Sequence, residues 1–403
     1  MAKPRVRMEG APDWYDTPLD QLDFEWSPDE KVEIERYCEK IHKNIAEEEM
    51  TPRERFKATI EGKEKDRCFI WPIHLNVYAV RCLDGFGDTL KPRDVYRNPK
   101  LLVKAHLATT ARFKLDMIFL YTLSYSEDLW GGSTRMIDYG NPVMVGDPPV
   151  KTVEDLEGMP IPDPYKDGLY PGYLWAVRET SRILKQHDLD DKMELHVSTC
   201  PDAVAIAQLG MMSINRFMIA GRKDPEVCKK SVELADEFYL KYCQSVIDLG
   251  AHSMWVCFGI GWLPIKGNEW TLDHHEKASK ILGPQIPTII TASVPADLQW
   301  LPHIMEKNIM GPDGYIGWVS GQDVDYKKLI DTARDYNLVV ASLHSDKTLL
   351  DGPMSALEEE LRTRIDYGKS HPKFAAAVGT VDYWTPPQHF EAAVEICKKL
   401  GKY

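Results

Sequence analysis

The chain has 403 residues, of which 43% are hydrophobic and 28% charged. That composition excludes a disordered or fibrous protein, and the length suffices to bury a core without disulfide or metal staples. Asp plus Glu number 62 against 49 Lys plus Arg, a formal charge of −13 that argues against nucleic acid or anionic membrane as partners. The 8 cysteines include no CxxC pair and read as thiols of a reducing cytoplasm. The first residues, MAKPRVRMEGAPDWYD, hold no apolar signal core, and no apolar run approaches the ~18–20 residues of a membrane helix. The expected location is cytoplasmic.

In chain order, residues 1–26 lack any period and read as an irregular arm lying on the surface. Ser27-Pro28-Asp29-Glu30 then opens a helix with an N-cap, a first-turn Pro and two acids, expected to run to about Glu49. Thr51-Pro52-Arg53-Glu54 opens a second, stopped by Gly62. Beyond it, short apolar runs alternate with amphipathic stretches. The runs predicted as strands are Cys68–His74, Met117–Leu123, Met193–Ser198, Ser253–Phe258, Thr288–Ala292, Gly314–Val319, Leu338–Leu343 and Phe374–Val378. The stretches between them, predicted as helices, are Asn98–Phe113, Tyr173–Gln186, Pro225–Leu249, Leu272–Ile281, Pro295–Lys307, Tyr326–Asp335 and Pro353–Tyr367. Buried parallel strands read as continuous apolar runs, so the pattern predicts an α/β fold, a closed (β/α)8 TIM barrel with an N-terminal helical extension. The division expected is an arm and helix over 1–50 and the barrel over 51–403, with 124–172 a long insertion after the second strand.

Chemistry in such barrels sits at the C-terminal ends of the strands. That rule selects His74, Glu127, His196 and His344 as catalytic candidates. As substrate-binding candidates it selects Trp71, Asn76, Tyr121, Trp255, Cys257, Ser293, Gln322 and Asp346. Trp71, Tyr121, Tyr125, Trp130, Trp255, Trp262 and Trp318 fall at or near predicted strand ends, where they stack a substrate ring, box a methylated ammonium, or simply plug the mouth. The pair His274-His275 and the run Glu358-Glu359-Glu360 read as solvated helix faces.

Four stretches in order carry a family resemblance. Residues 51–67, TPRERFKATIEGKEKDR, closely resemble the opening helix of the uroporphyrinogen decarboxylase superfamily, which includes corrinoid- and coenzyme-M-linked methyltransferases. Tyr121-Thr-Leu-Ser-Tyr-Ser-Glu127-Asp-Leu-Trp-Gly131 is similar to the second-strand segment of the methyltransferase branch. Asp248-Leu-Gly250-Ala251-His252 resembles the Gly-Ala turn into the fourth strand, and Thr385-Pro386-Pro387 the final segment. The resemblance covers 51–403 and implies a TIM barrel.

Departures from the family pattern narrow the activity. The arginine-rich loop that holds a porphyrinogen's propionates has no counterpart in residues 73–81, and the family's catalytic aspartate is missing from 121–124. The His-x-Cys of the thiol-activating zinc site is replaced by Ile290-Thr291-Ala292-Ser293. Zinc stays open as a cofactor without its usual ligand motif, with His196, Cys200, Cys257 and His344 the residues that would converge on a different metal. What the resemblance then implies is methyl transfer from a small methylated substrate, a methoxylated aromatic foremost, to cob(I)alamin on a separate corrinoid protein. Acid assistance to the leaving group is required, since a phenolate or alkoxide departs slowly unless protonated. Two alternatives stand beside it: a cofactor-independent decarboxylase, and a non-catalytic corrinoid- or tetrapyrrole-binding barrel. A homodimer is the expected assembly, as in many family barrels.

Overall fold

Capping chemistry sets the first elements. In the computed structural model, which describes residues 5–74, 76–121, 127–199, 201–256, 270–292, 297–320 and 324–403, α1 (Pro28–Ala46) and α2 (Pro52–Glu61) both begin on capping boxes. Ser27 pairs with Glu30 and Thr51 with Glu54, each side chain satisfying the other's backbone N–H. Gly62, at φ +71°, ends α2 in the left-handed conformation expected of a glycine stop.

Eight parallel strands follow: β1 (Phe69–His74), β2 (Met117–Tyr121), β3 (Glu194–Ser198), β4 (Ser253–Val256), β5 (Thr288–Ala292), β6 (Gly317–Ser320), β7 (Val339–Ser342) and β8 (Phe374–Val381). Hydrogen-bonded ladders run β1-β8-β7-β6-β5-β4-β3-β2. Helices alternate with them, among these α3 (Pro99–Phe113), α4 (Tyr170–Gln186), α5 (Pro225–Asp248), α6 (Thr271–Leu282), α7 (Asp297–Glu306), α8 (Tyr326–Asp335), α9 (Met354–Gly368) and α10 (Pro387–Leu400). This is the predicted (β/α)8 barrel. Its remaining seam, between β1 and β2, is bridged by a side chain: buried Asp116, just before β2, accepts the Ile70 N–H of β1 at 2.8 Å. The same carboxylate holds Arg67 at 2.7 and 2.8 Å and Arg55 at 2.9 Å.

Alternation along the strands separates two cores. Inward residues Phe69, Trp71, Ile73, Met117, Phe119, Tyr121, Trp255, Ile289, Val319, Val339, Ala341, Leu343, Ala375 and Ala377 pack inside the barrel, and their neighbours pack outward under the helices. At the β1–β8 rim the register slips between Ile73 and His74, opposite Gly379. Gly379 sits at φ +106°, and a Cβ there would lie 2.3 Å from the Ile73 carbonyl oxygen, so only glycine fits.

Three expectations change. The arm is irregular but not merely laid on the surface: Met8, Tyr15, Leu19, Leu22 and Trp26 are buried, and Tyr15 O–H bonds Asp128 in the insertion. His274 and His275 are not solvated. Both are buried, because α6 turns them toward α5 and the helical turn Ala203–Ala205 after β3, where His274 Nδ1 meets Asp236 at 2.6 Å and His275 Nε2 lies 3.4 Å from the turn's capping Asp202. Within the acidic run, Glu360 turns inward to accept Ser345 N–H and the Thr348 hydroxyl, each at 3.1 Å. The chain also forms helical turns over Ala203–Ala205, Ile206–Met212 and Ile214–Lys223 that were not foreseen. Ala203–Met212 is apolar but for Gln208 and gives no 3.6-residue contrast to read, whereas Ile214–Lys223, with Asn215, Arg216, Arg222 and Lys223 around a buried Phe217, carries a helical pattern that the reading passed over.

Among the described residues no single helix is long and apolar enough to cross a membrane. Cys38, Cys68, Cys82, Cys228, Cys243 and Cys397 are free thiols.

Candidate active site

Period-2 alternation points Glu194, His196 and Ser198 of β3 into the barrel, alongside Ser253 and Trp255 of β4. His196 is therefore not at a strand end, as its place in the sequence suggested, but mid-strand and fully buried. Its ring stacks on Phe119 (centroids 5.4 Å, 20° between planes) and meets Trp71 edge-on at 4.8 Å. Phe119 continues to Tyr121 at 5.9 Å and Trp255 at 5.6 Å, and Tyr121 lies 5.9 Å from Trp255. Four of the predicted residues, Trp71, Tyr121, His196 and Trp255, are thus one cluster.

His196 also heads a polar chain that the sequence reading missed. Its Nδ1 lies 2.7 Å from Ser253 Oγ, and the Ser253 hydroxyl donates to Glu194 Oε1 at 2.6 Å. Arg53, in the first turn of α2, donates to Glu194 Oε2 at 3.1 Å. His196 Nε2 is buried and has no hydrogen-bond partner among the described residues. Burial without a counter-charge pushes the imidazole down to about 3, so the ring is neutral. Glu194 is pushed up to about 7 by burial, which outweighs the Ser253 hydrogen bond and the charges of Arg53 and Lys57. The signal available was a glutamate two residues before an inward histidine on one strand.

His344 is fully buried after β7, but both its nitrogens are in use. Nδ1 donates to the Ser345 carbonyl at 3.0 Å and Nε2 accepts the Gly379 N–H at 3.3 Å. Burial holds it down to about 4. It ties β7 to β8 at the rim, and both ring nitrogens are taken up by backbone groups. Glu127, in the turn Glu127–Trp130 after β2, is buried, and its Oε2 has no partner among the described residues. Burial, with Asp128 adjoining, pushes its carboxyl up to about 8. Asp346 is half-buried at the first position of the short helix Asp346–Asp351, where an acid suits the helix dipole.

His74 and Asn76 are described in backbone alone, and Cys200, Cys257, Ser293 and Gln322 lie outside the described residues, as do Tyr125 and Trp262. Trp130 packs on Phe238 of α5, and Trp318 faces outward into the helical layer, so neither lines the interior. A residue with no sequence signal is Gln208. It is fully buried in the π-helical turn Ile206–Met212, both amide atoms lack partners among the described residues, and that turn packs on the one carrying Glu127.

Among the described residues the thiol-activating zinc set is incomplete: the β5 position carries Thr291 and both nitrogens of His344 are engaged, whereas His196 engages Nδ1 and keeps Nε2 open. Among the described residues no group of three His, Cys, Asp or Glu is placed to hold a metal. The described inward residues of the strands include no Lys or Arg.

The sequence model of the uroporphyrinogen decarboxylase (URO-D) family matches residues 51–400. Among solved structures the chain is similar to a methyltransferase from Methanosarcina mazei, with a TM-score of 0.70 and 18% identity over 87% of this chain and 99% of that one. At that identity the likeness is one of fold. A search of curated protein sequences finds no match.

Proposed function

The chain belongs to the uroporphyrinogen decarboxylase family, and within it we propose a methyltransferase that moves a methyl group from a methoxylated aromatic to cob(I)alamin on a separate corrinoid protein. The observation that carries this reading is the buried His196 Nε2, without a partner among the described residues, set among Trp71, Phe119, Tyr121 and Trp255. An unpaired nitrogen costs free energy in an apolar interior unless a ligand uses it. An aromatic ether fits such a place: its ring stacks and its oxygen meets the imidazole.

Charge favours the same substrate class. With no cation among the described inward residues, the interior does not suit a porphyrinogen's carboxylates. Glu127 and Glu194 both carry their protons to about 8 and about 7, so neither offers the anion that would hold a methylammonium. Cob(I)alamin, as second substrate, supplies the nucleophile. The chain's own residues then supply what the leaving oxygen needs. Glu127 is a neutral acid at working pH, and His196 is a neutral ring able to present N–H from Nε2. A cytoplasmic location and a homodimer belong to the same proposal.

The test mixes the purified protein anaerobically with cob(I)alamin and a panel of aryl methyl ethers and methylamines, with and without zinc. Methyl-cobalt absorbance is expected with aryl ethers alone, whether or not zinc is added. A flat trace across the panel, repeated with a native corrinoid carrier, would overturn the proposal and leave the decarboxylase or the binding barrel.

A further inference from the structure

We propose that Arg53, Glu194, Ser253 and His196 form a proton relay that runs up the inside of β3 and β4 and sets which nitrogen of His196 carries hydrogen. The relay rests on the methyl-transfer reading only for the identity of the oxygen that finally receives the proton.

The geometry admits two states of one chain. With Glu194 ionised, the Ser253 hydroxyl donates to the carboxylate and its oxygen accepts from His196 Nδ1–H, leaving Nε2 a bare lone pair. With Glu194 protonated, every bond in the chain reverses. The carboxyl donates to Ser253, Ser253 donates to Nδ1, and the hydrogen of His196 sits on Nε2.

Passing from the second state to the first delivers one proton. The Glu194 O–H breaks as Ser253 Oγ gains a hydrogen. The Ser253 O–H breaks as Nδ1 gains one, and the Nε2–H breaks toward the leaving oxygen. No electrons change centre, and the ring never becomes imidazolium, consistent with the burial that keeps it neutral. Glu194 ends as a carboxylate beside Arg53, the half-buried member of the chain, and regains its proton from solvent.

The groups bearing on this titration are few. Arg53 and Lys57 of α2 and Ser253 of β4 act on Glu194, whereas His196 faces the uncharged rings of Trp71 and Phe119. Glu194 and Ser253 are therefore positioning residues that work through His196.

Two-bond nitrogen–proton NMR on the full-length, 15N-histidine-labelled protein reads the tautomer directly, with His196→Gln identifying the signal. The expected result is Nε2–H below pH ~7 and Nδ1–H above it, without a cationic form, since burial sets Glu194 at about 7. Ser253→Ala should freeze one tautomer across pH 5–9, and Ser253→Thr, which restores the hydroxyl, should recover the switch. A His196 tautomer that stays constant in the wild type, or that still switches in Ser253→Ala, overturns the relay. With an accepted methyl donor, wild-type turnover should fall tenfold per pH unit above ~7, and Ser253→Ala should lower kcat about 10²-fold with KM little changed. A tautomer switch without methyl transfer would uphold the relay and reject the donor class. Methyl transfer without a switch would do the reverse.

Discussion

Glu127 and Glu194 are acids kept in places that favour their neutral forms, and this has a cost as well as a use. Each holds its proton to higher pH when folded, at about 8 and about 7, than the ordinary 4.5 of a glutamate. The folded state thus binds more protons between those limits, and stability declines as pH rises from about 4.5 toward 8. Glu127→Gln is expected to raise Tm measured at pH 8 and to flatten its fall with pH, while lowering the rate of methyl-cobalt formation by about 10²-fold or more. A Tm unchanged by the substitution would show that the carboxyl is not strained. His344 should behave in the opposite way. Because its nitrogens tie the Ser345 carbonyl to the Gly379 N–H, His344→Ala is expected to cost about 1–3 kcal/mol in denaturant titration, without moving the pH profile of the folded enzyme. The sequence brought Trp71, Tyr121, His196 and Trp255 into view because they fall at or near predicted strand ends, where barrel chemistry sits. It could not separate His196 from His344, since the difference lies in which backbone groups approach each ring. Ser253 and Gln208 had no signal of their own, being ordinary residues in apolar runs.

At the scale of elements, the point to watch is the seam between β1 and β2. Burial alone would raise the Asp116 carboxyl, but Arg67 and Arg55 hold it well below the usual carboxylate range. A depressed value means stabilisation that is full above pH ~4 and is lost as pH falls through the folded-state value. Asp116→Asn removes one partner of a buried network and is expected to destabilise by about 3–5 kcal/mol at neutral pH, with a weaker acid dependence below pH 4. An equilibrium unfolding series against pH checks both. The elements themselves were largely legible. Ser27, Thr51 and Gly62 announce helix ends by local chemistry, and eight apolar runs announce strands. Gly314–Val319 was placed early, because residues 311–315 form a turn of their own, with Gly314 N–H on Gly311 and Tyr315 N–H on Ile309, so that β6 begins at Gly317. The closure by Asp116 left no mark, since an acid before a strand looks like any loop acid.

Across the whole molecule, the N-terminal arm reaches the candidate site through Tyr15. Tyr15 O–H bonds Asp128, the neighbour of Glu127, and Trp26 Nε1–H bonds Glu179 on α4 at 2.5 Å. Burial pushes Asp128 up to about 6 even with the Tyr15 bond. Tyr15→Phe leaves that buried carboxyl without its phenol and is expected to cost about 1–3 kcal/mol and to slow methyl transfer in protein that is still folded by circular dichroism. Normal turnover in that variant would detach the arm from the chemistry. The layout of the barrel has a further consequence. Arg53 and Glu194 lie where β3 begins, at the floor, whereas in the proposed reaction the methyl donor and the corrinoid carrier would come and go at the rim. A carrier seated over the rim would cut that end off from bulk water and leave the floor wet. Proton traffic and methyl traffic would then have separate doors, and the proposed enzyme would recharge its acid while the carrier is still docked.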